Sequence, residues 1–212
     1  MSNGCAILTF ALVTLTAGLA AGQDTAQPPV SPTTSENRAT STVSFLGGAA
    51  VGLAAHEAGH LLFDGLFGAN PGIKRVSFGG IPFFAVTHDT VSPRKEFIID
   101  SAGFWVQEAT NEILLSRRPN LRHEHAPFTK GVFAFNTLVS VGYAGAAFAR
   151  VGPAERDTRG MAESLRWKEP YVGLLILVPA VLDLVRYYHP HAGWATWGSR
   201  AAKIGGVVLI AR

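Results

Sequence analysis

The chain has a single cysteine, Cys5, and that alone excludes an internal disulfide framework and every zinc site built from several thiolates. Any metal site must draw on His, Asp or Glu. Charge is also scarce: Asp, Glu, Lys and Arg make up 16% of the residues, against about 25% in an ordinary soluble domain. The 18 basic residues barely exceed the 15 acidic ones and are scattered. No dense basic stripe exists to neutralise phosphates, so nucleic acid is not an expected partner. There is no G-x-S-x-G elbow, no phosphate-binding glycine loop, no catalytic cysteine pattern and no repeat of fixed period. What remains is a chain of 212 residues, 48% apolar, with a mean hydropathy of +0.22. Such a length suits one domain, and such a composition leans toward a membrane.

The order of segments supports that leaning. Residues 5 to 22 form an apolar run ending in Ala20, Ala21 and Gly22, as a secretory signal does, although the front end lacks Lys and Arg and an uncleaved anchor is the alternative. Residues 23 to 42 are rich in Pro, Ser and Thr without apolar periodicity, and are expected to be a disordered linker on the outer side. The remaining domain, 43 to 212, opens with an apolar stretch from Val43 to about Phe67, long enough to span a bilayer. Within it Gly48 and Gly52 make a small-xxx-small pair that admits a close neighbour. Residues 70 to 93 carry NPG, GG and two prolines around short β-prone runs, which predicts a hairpin. The stretch 94 to 116 is helical but holds Asp100, Gln107, Glu108, Asn111 and Glu112, too polar for exposure to lipid. Gly131 to Phe148 and Pro170 to Tyr188 are expected to span, 150 to 169 is charged and amphipathic, and Trp194 and Trp197 mark an interfacial tail.

The sharpest motif is His56-Glu57-Ala58-Gly59-His60. Residues four apart share a helix face, so two imidazoles can hold one Zn2+ while Glu57 reaches a water on it as general base. A hydrolytic zinc takes three protein ligands and leaves one position open. Asp64 lies eight residues past His56, about 12 Å along a helix axis, too far to share the ion; it suits an orienting or capping role. Asp183, an acid midway along LLILVPAVLDLVRYY, must either pair with Arg186 at i+3 or bind the metal, and is taken as the third ligand. His88, His123, His125, His189 and His191 are expected to be solvated.

On these residues the chain resembles the site-2 protease family of intramembrane zinc metalloproteases. The resemblance covers residues 43 to about 148, and 170 to 188 less closely. It rests on HEAGH within an apolar helix, on the glycine-rich β-prone insert at Val76 to Phe84 and on Ser101-Ala102-Gly103 opening the next helix. Phe135-Asn136-Thr137-Leu138 is similar to the family's lead-in to an Asp-Gly pair, yet Ala144 stands where that Asp belongs. The resemblance implies hydrolysis of a peptide bond within or near the membrane, with Glu57 as base and zinc on His56, His60 and a third ligand. The expected fold is an all-α membrane bundle of three to five transmembrane or interfacial helices with a small β-hairpin insert. The expected setting is the inner or plasma membrane, with lipid and a membrane-proximal peptide as partners. The competing expectation is a non-enzymatic polytopic membrane protein or a zinc-binding pseudoprotease that holds a partner, for which Ala144 is the motive.

Overall fold

The computed structural model describes residues 34 to 78 and 81 to 211. The signal expected at 1 to 22, and the linker as far as residue 33, lie outside the described residues. Those described form α1 (Thr34–Phe67), β1 (Gly72–Phe78), β2 (Ile81–Thr87), α2 (Pro93–Arg117), α3 (Pro127–Ala149), α4 (Asp157–Leu165), α5 (Glu169–Tyr188) and α6 (Gly193–Ala211). The protein is therefore a helical bundle with one antiparallel hairpin, in which Gly72 faces Thr87 and Phe78 faces Ile81. The described residues form six α-helices, where three to five transmembrane or interfacial ones were expected. The additional one is α4, nine residues cut from a stretch that reads only as charged and amphipathic.

Helix ends follow local chemistry. Ser92 is extended and Pro93 opens α2, where a missing N–H costs nothing, with Glu96 in the first turn and Arg117 in the last complementing the helix dipole. Pro127 opens α3 in the same way. At the other end of α1, Gly68 is left-handed (φ +64°) and the Ala69 N–H returns to the Asp64 carbonyl at 2.9 Å, a Schellman closure. The α1 helix starts at Thr34, so residues 34 to 42, expected as linker, are helical. Arg38, Ala39 and Thr40 are exposed there, polar turns added in front of the apolar run.

The core lies where α2, α4 and α5 meet. Phe97, Phe104, Met161, Val172 and Ile176 are buried together, each such side chain contributing about 1.5–3 kcal/mol of transfer free energy. A smaller cluster of Leu115, Leu121 and Phe133 seals the end near the 3-10 turn at Leu121–His123. Helix α1 packs on α2 and α3. Its crossing with α3 needs glycine on both sides: a Cβ at Gly48 would stand 2.0 Å from the Phe128 carbonyl oxygen, and one at Gly131 2.0 Å from that of Phe45. The small-residue pair thus serves a contact inside the chain, with Gly52 lying under the Phe135 ring.

Two of the described helices, α3 and α5, are long and apolar enough to cross a membrane. Helix α1 is not, because glycines, His56, Glu57 and His60 dilute its apolar run.

Candidate metal centre

Helix α1 carries His56 and His60 on one face, and both are buried. Their rings meet edge to face with centroids 4.9 Å apart, and their Nε2 atoms are 3.2 Å apart. What holds them is the first third of α2. The His60 Nδ1 lies 2.7 Å from the Ile99 carbonyl oxygen; a carbonyl only accepts, so Nδ1 carries a hydrogen and Nε2 is the atom turned toward His56 and Asp157. Three residues on, Ala102 and Gly103 form the bed of the motif. A Cβ at Gly103 would press into the His56 ring at 2.5 Å, and one at Gly59 would stand 2.8 Å from the Ala102 carbonyl oxygen. The Ser101-Ala102-Gly103 run is therefore a packing surface for HEAGH. Phe104, next in sequence, meets the His56 ring edge-on at 5.3 Å and the Tyr143 ring at 5.2 Å.

The third group comes from α4. Asp157, its first residue, places Oδ2 at 3.4 Å from His56 Nε2 and 3.6 Å from His60 Nε2. His56, His60 and Asp157 are thereby gathered as one set of candidate ligands. A tetrahedral ion with bonds of about 2.0–2.1 Å sets its donors about 3.3–3.4 Å apart, and the three separations of 3.2, 3.4 and 3.6 Å bracket that value. Asp157 Oδ2 is buried with no hydrogen-bond partner. Burial alone would raise the Asp157 carboxyl; the His60 and His56 imidazoles and the Tyr143 hydroxyl outweigh it and hold the group below the usual carboxylate range, as its anion. Two imidazoles and a carboxylate buried together are stabilised either by a shared proton or by a cation placed between them.

The neighbours of Asp157 fix its position. Arg156 donates from Nε and Nη2 to the two oxygens of Glu169 on α5, both at 2.7 Å, while Thr158 Oγ1 donates to Glu169 Oε1 at 2.8 Å. One carboxylate thus anchors the residues on either side of the ligand, and the bidentate geometry fixes direction as well as distance.

Glu57 stands beside the imidazoles without joining the three. It lines a cavity of about 320 Å³ together with His60, Asp157, Tyr143, Phe84 and Val86. The floor of this cavity is the candidate centre and one wall is strand β2.

The structure does not bring Asp183 to the imidazoles. Asp183 is buried between α5 and α6, where Ser199 Oγ donates to its Oδ1 at 2.6 Å, Lys203 Nζ to its Oδ2 at 2.8 Å and Arg186 Nη1 to its Oδ1 at 3.1 Å. Arg186 and Lys203 also bond Glu112 of α2, and Arg200 adds a third cation at 2.8 Å. Both oxygens of Asp183 are consumed by this network, and the third candidate ligand beside the imidazoles is Asp157. Ala144 is fully buried, with its carbonyl against Gly173 of α5; Tyr143 beside it lines the cavity, as do Gly142 and Ala146. Asn136 does interior work, donating to Asn111 Oδ1 at 2.9 Å. Asp64 is buried one turn beyond His60.

No protein-family model matches this chain, and neither a curated protein nor a solved structure matches it.

Proposed function

We propose that the protein is a membrane-embedded zinc metallohydrolase that cleaves peptide bonds within or near the bilayer. The observation that carries this reading is the triangle of His56 Nε2, His60 Nε2 and Asp157 Oδ2, whose sides would suit one zinc ion beside the cavity that Glu57, His60 and Asp157 line. Zinc, when bound by these three residues, supplies Lewis acidity and makes water acidic near neutral pH. Glu57 takes the proton of the attacking water and passes it to the leaving amine. The Tyr143 hydroxyl, on the same cavity, donates to the substrate carbonyl oxygen as charge develops there. Glu169, through Arg156 and Thr158, keeps the Asp157 oxygen aimed at the imidazoles.

The membrane setting is supported by α3 and α5 and by apolar side chains turned outward on them and on α6, among them Leu138, Leu174, Val178, Ile204 and Val207. Trp194 and Trp197, 67% and 71% exposed, mark the start of α6 as an interfacial belt. Lipid is the partner of these faces, and a peptide in or beside the membrane is the substrate class the cavity would admit. The pseudoprotease alternative drew its motive from Ala144 in the place of a ligand; Asp157, gathered with the two imidazoles, supports the hydrolase reading.

The test is Glu57→Gln in the full-length protein. Zinc stoichiometry should stay near wild type, since both imidazoles and Asp157 are untouched. Cleavage of membrane-proximal peptides should fall about 10²- to 10⁴-fold, the effect of losing a general base. Wild-type turnover by the Glu57→Gln protein would exclude this mechanism, and zinc binding with no cleavage by the wild type would favour the non-enzymatic reading.

A further inference from the structure

A second group of candidate ligands stands where the hairpin returns to the bundle. His88 follows the last residue of β2, and Glu96 and Asp100 lie four apart on the exposed start of α2. One nitrogen of His88 and one oxygen of each carboxylate lie within 4.8 Å of one another. His88 Nε2 is 3.7 Å from Glu96 Oε1 and 3.8 Å from Asp100 Oδ1. The side chain of His88 is 10% exposed and that of Asp100 14%.

Three features separate this group from an ordinary ion pair. First, His88 Nδ1 lies 3.0 Å from the Asp89 carbonyl oxygen, so Nδ1 carries the hydrogen and Nε2 is the atom turned to the carboxylates, the arrangement of a ligating histidine oriented from behind. Second, the separations exceed hydrogen-bond reach. Donors 3.7 and 3.8 Å apart instead subtend about 120° at an ion with bonds of about 2.1–2.2 Å, within the range of zinc with nitrogen and oxygen ligands. Third, the other oxygen of Asp100 is buried with no hydrogen-bond partner. Gly160 of α4 leaves it room, since a Cβ there would stand 1.9 Å from Oδ2. A carboxylate oxygen buried without a donor is costly, and coordination by both oxygens to one cation removes the cost.

We propose that His88, Glu96 and Asp100 bind a second divalent cation of the zinc class, distinct from the HEAGH centre, which clamps the base of the hairpin to α2. The two centres back onto one peptide unit of α2: the Ile99 carbonyl orients His60, and Asp100, the next residue, reaches toward His88. The second ion would hold the β2 wall of the cavity in place relative to the first.

The experiment is a Zn2+ titration of the full-length protein in detergent, stripped with chelator, with bound metal counted by mass spectrometry and affinity read by calorimetry. Wild type should bind two equivalents. His60→Ala should keep one, and His88→Ala should keep the other. Glu96→Gln changes a side chain 32% exposed with little risk to folding, and should weaken one of the two equivalents tenfold or more without touching that lost in His60→Ala. Circular dichroism of each variant separates lost binding from lost fold. A wild type holding one equivalent that His60→Ala abolishes, or two equivalents undiminished in both His88→Ala and Glu96→Gln, would overturn the second site. Two equivalents without peptide cleavage would leave it standing and count against the hydrolase.

Discussion

Two buried polar clusters share α2, and they are built on opposite terms. Around Asp183 and Glu112 the counter-charges come from the chain itself: Arg186, Arg200 and Lys203 face the two carboxylates, and Ser199 donates to Asp183. Around His56, His60 and Asp157 the structure gathers two imidazoles and one carboxylate whose ligand atoms converge. Buried charge is tolerated when paired, and Asp183 has fixed cations for partners, whereas Asp157 has only the two imidazoles, the side chains that the proposed zinc would share with it.

The contrast can be broken in both directions. The largest effect should come from Asp157→Ala, which removes one of the three donors. Zinc bound at the HEAGH centre should fall by orders of magnitude and cleavage with it, while Asp183→Ala leaves zinc content unchanged; equilibrium dialysis of both proteins decides. Next comes the stability of Asp183→Ala. It takes from Arg186 and Lys203 one of their two carboxylates, Glu112 remaining, and truncating one partner of a buried pair costs up to about 3–5 kcal/mol; a denaturant midpoint close to that of the wild type would show that Glu112 alone satisfies both cations. Smaller again is Glu169→Gln. It retains side-chain shape but weakens the grip on Arg156 and Thr158, so zinc affinity should drop about 10- to 100-fold, as when the support of a ligand is lost. Binding unaltered in Glu169→Gln would mean that α4 holds Asp157 by packing alone. The least effect belongs to Lys74→Ala, which breaks the ion pair between β1 and Glu155. Lys74 is 60% exposed, and such surface pairs contribute about 0.5 kcal/mol, so melting should hardly shift.

How far the sequence alone reached depended on distance along the chain. The hairpin was legible from NPG, GG and the β-prone runs between them, and the apolar stretches at 131 to 148 and 170 to 188 fall within α3 and α5. His56 and His60 could be paired from spacing, because i and i+4 on a helix are neighbours by geometry. The candidate third ligand had no such signature. Asp157 sits in the run AERDTRG, where an acid at the front of a short helix reads as an ordinary partner of the helix dipole. Only the folding of α4 onto α2 brings it to α1. Asp183 shows the complementary difficulty. The argument that a buried acid needs a positive partner was sound, but Lys203, like the hydroxyl of Ser199, lies on α6, which read as a separate interfacial segment. Gly103 and Gly160 likewise yielded their purpose only once the groups seated against them, the His56 ring and the Asp100 carboxylate, were in view.

The clamp on Asp157 has a consequence for the order of events during synthesis. His56 and His60 emerge early in the chain, while the aspartate and the carboxylate that steadies it lie at 157 and 169. Until that later stretch has been made and docked, the two imidazoles stand without the carboxylate that completes the candidate ligand set. The set of three is therefore assembled late, only in a chain that has already folded α4 and α5 onto the earlier helices.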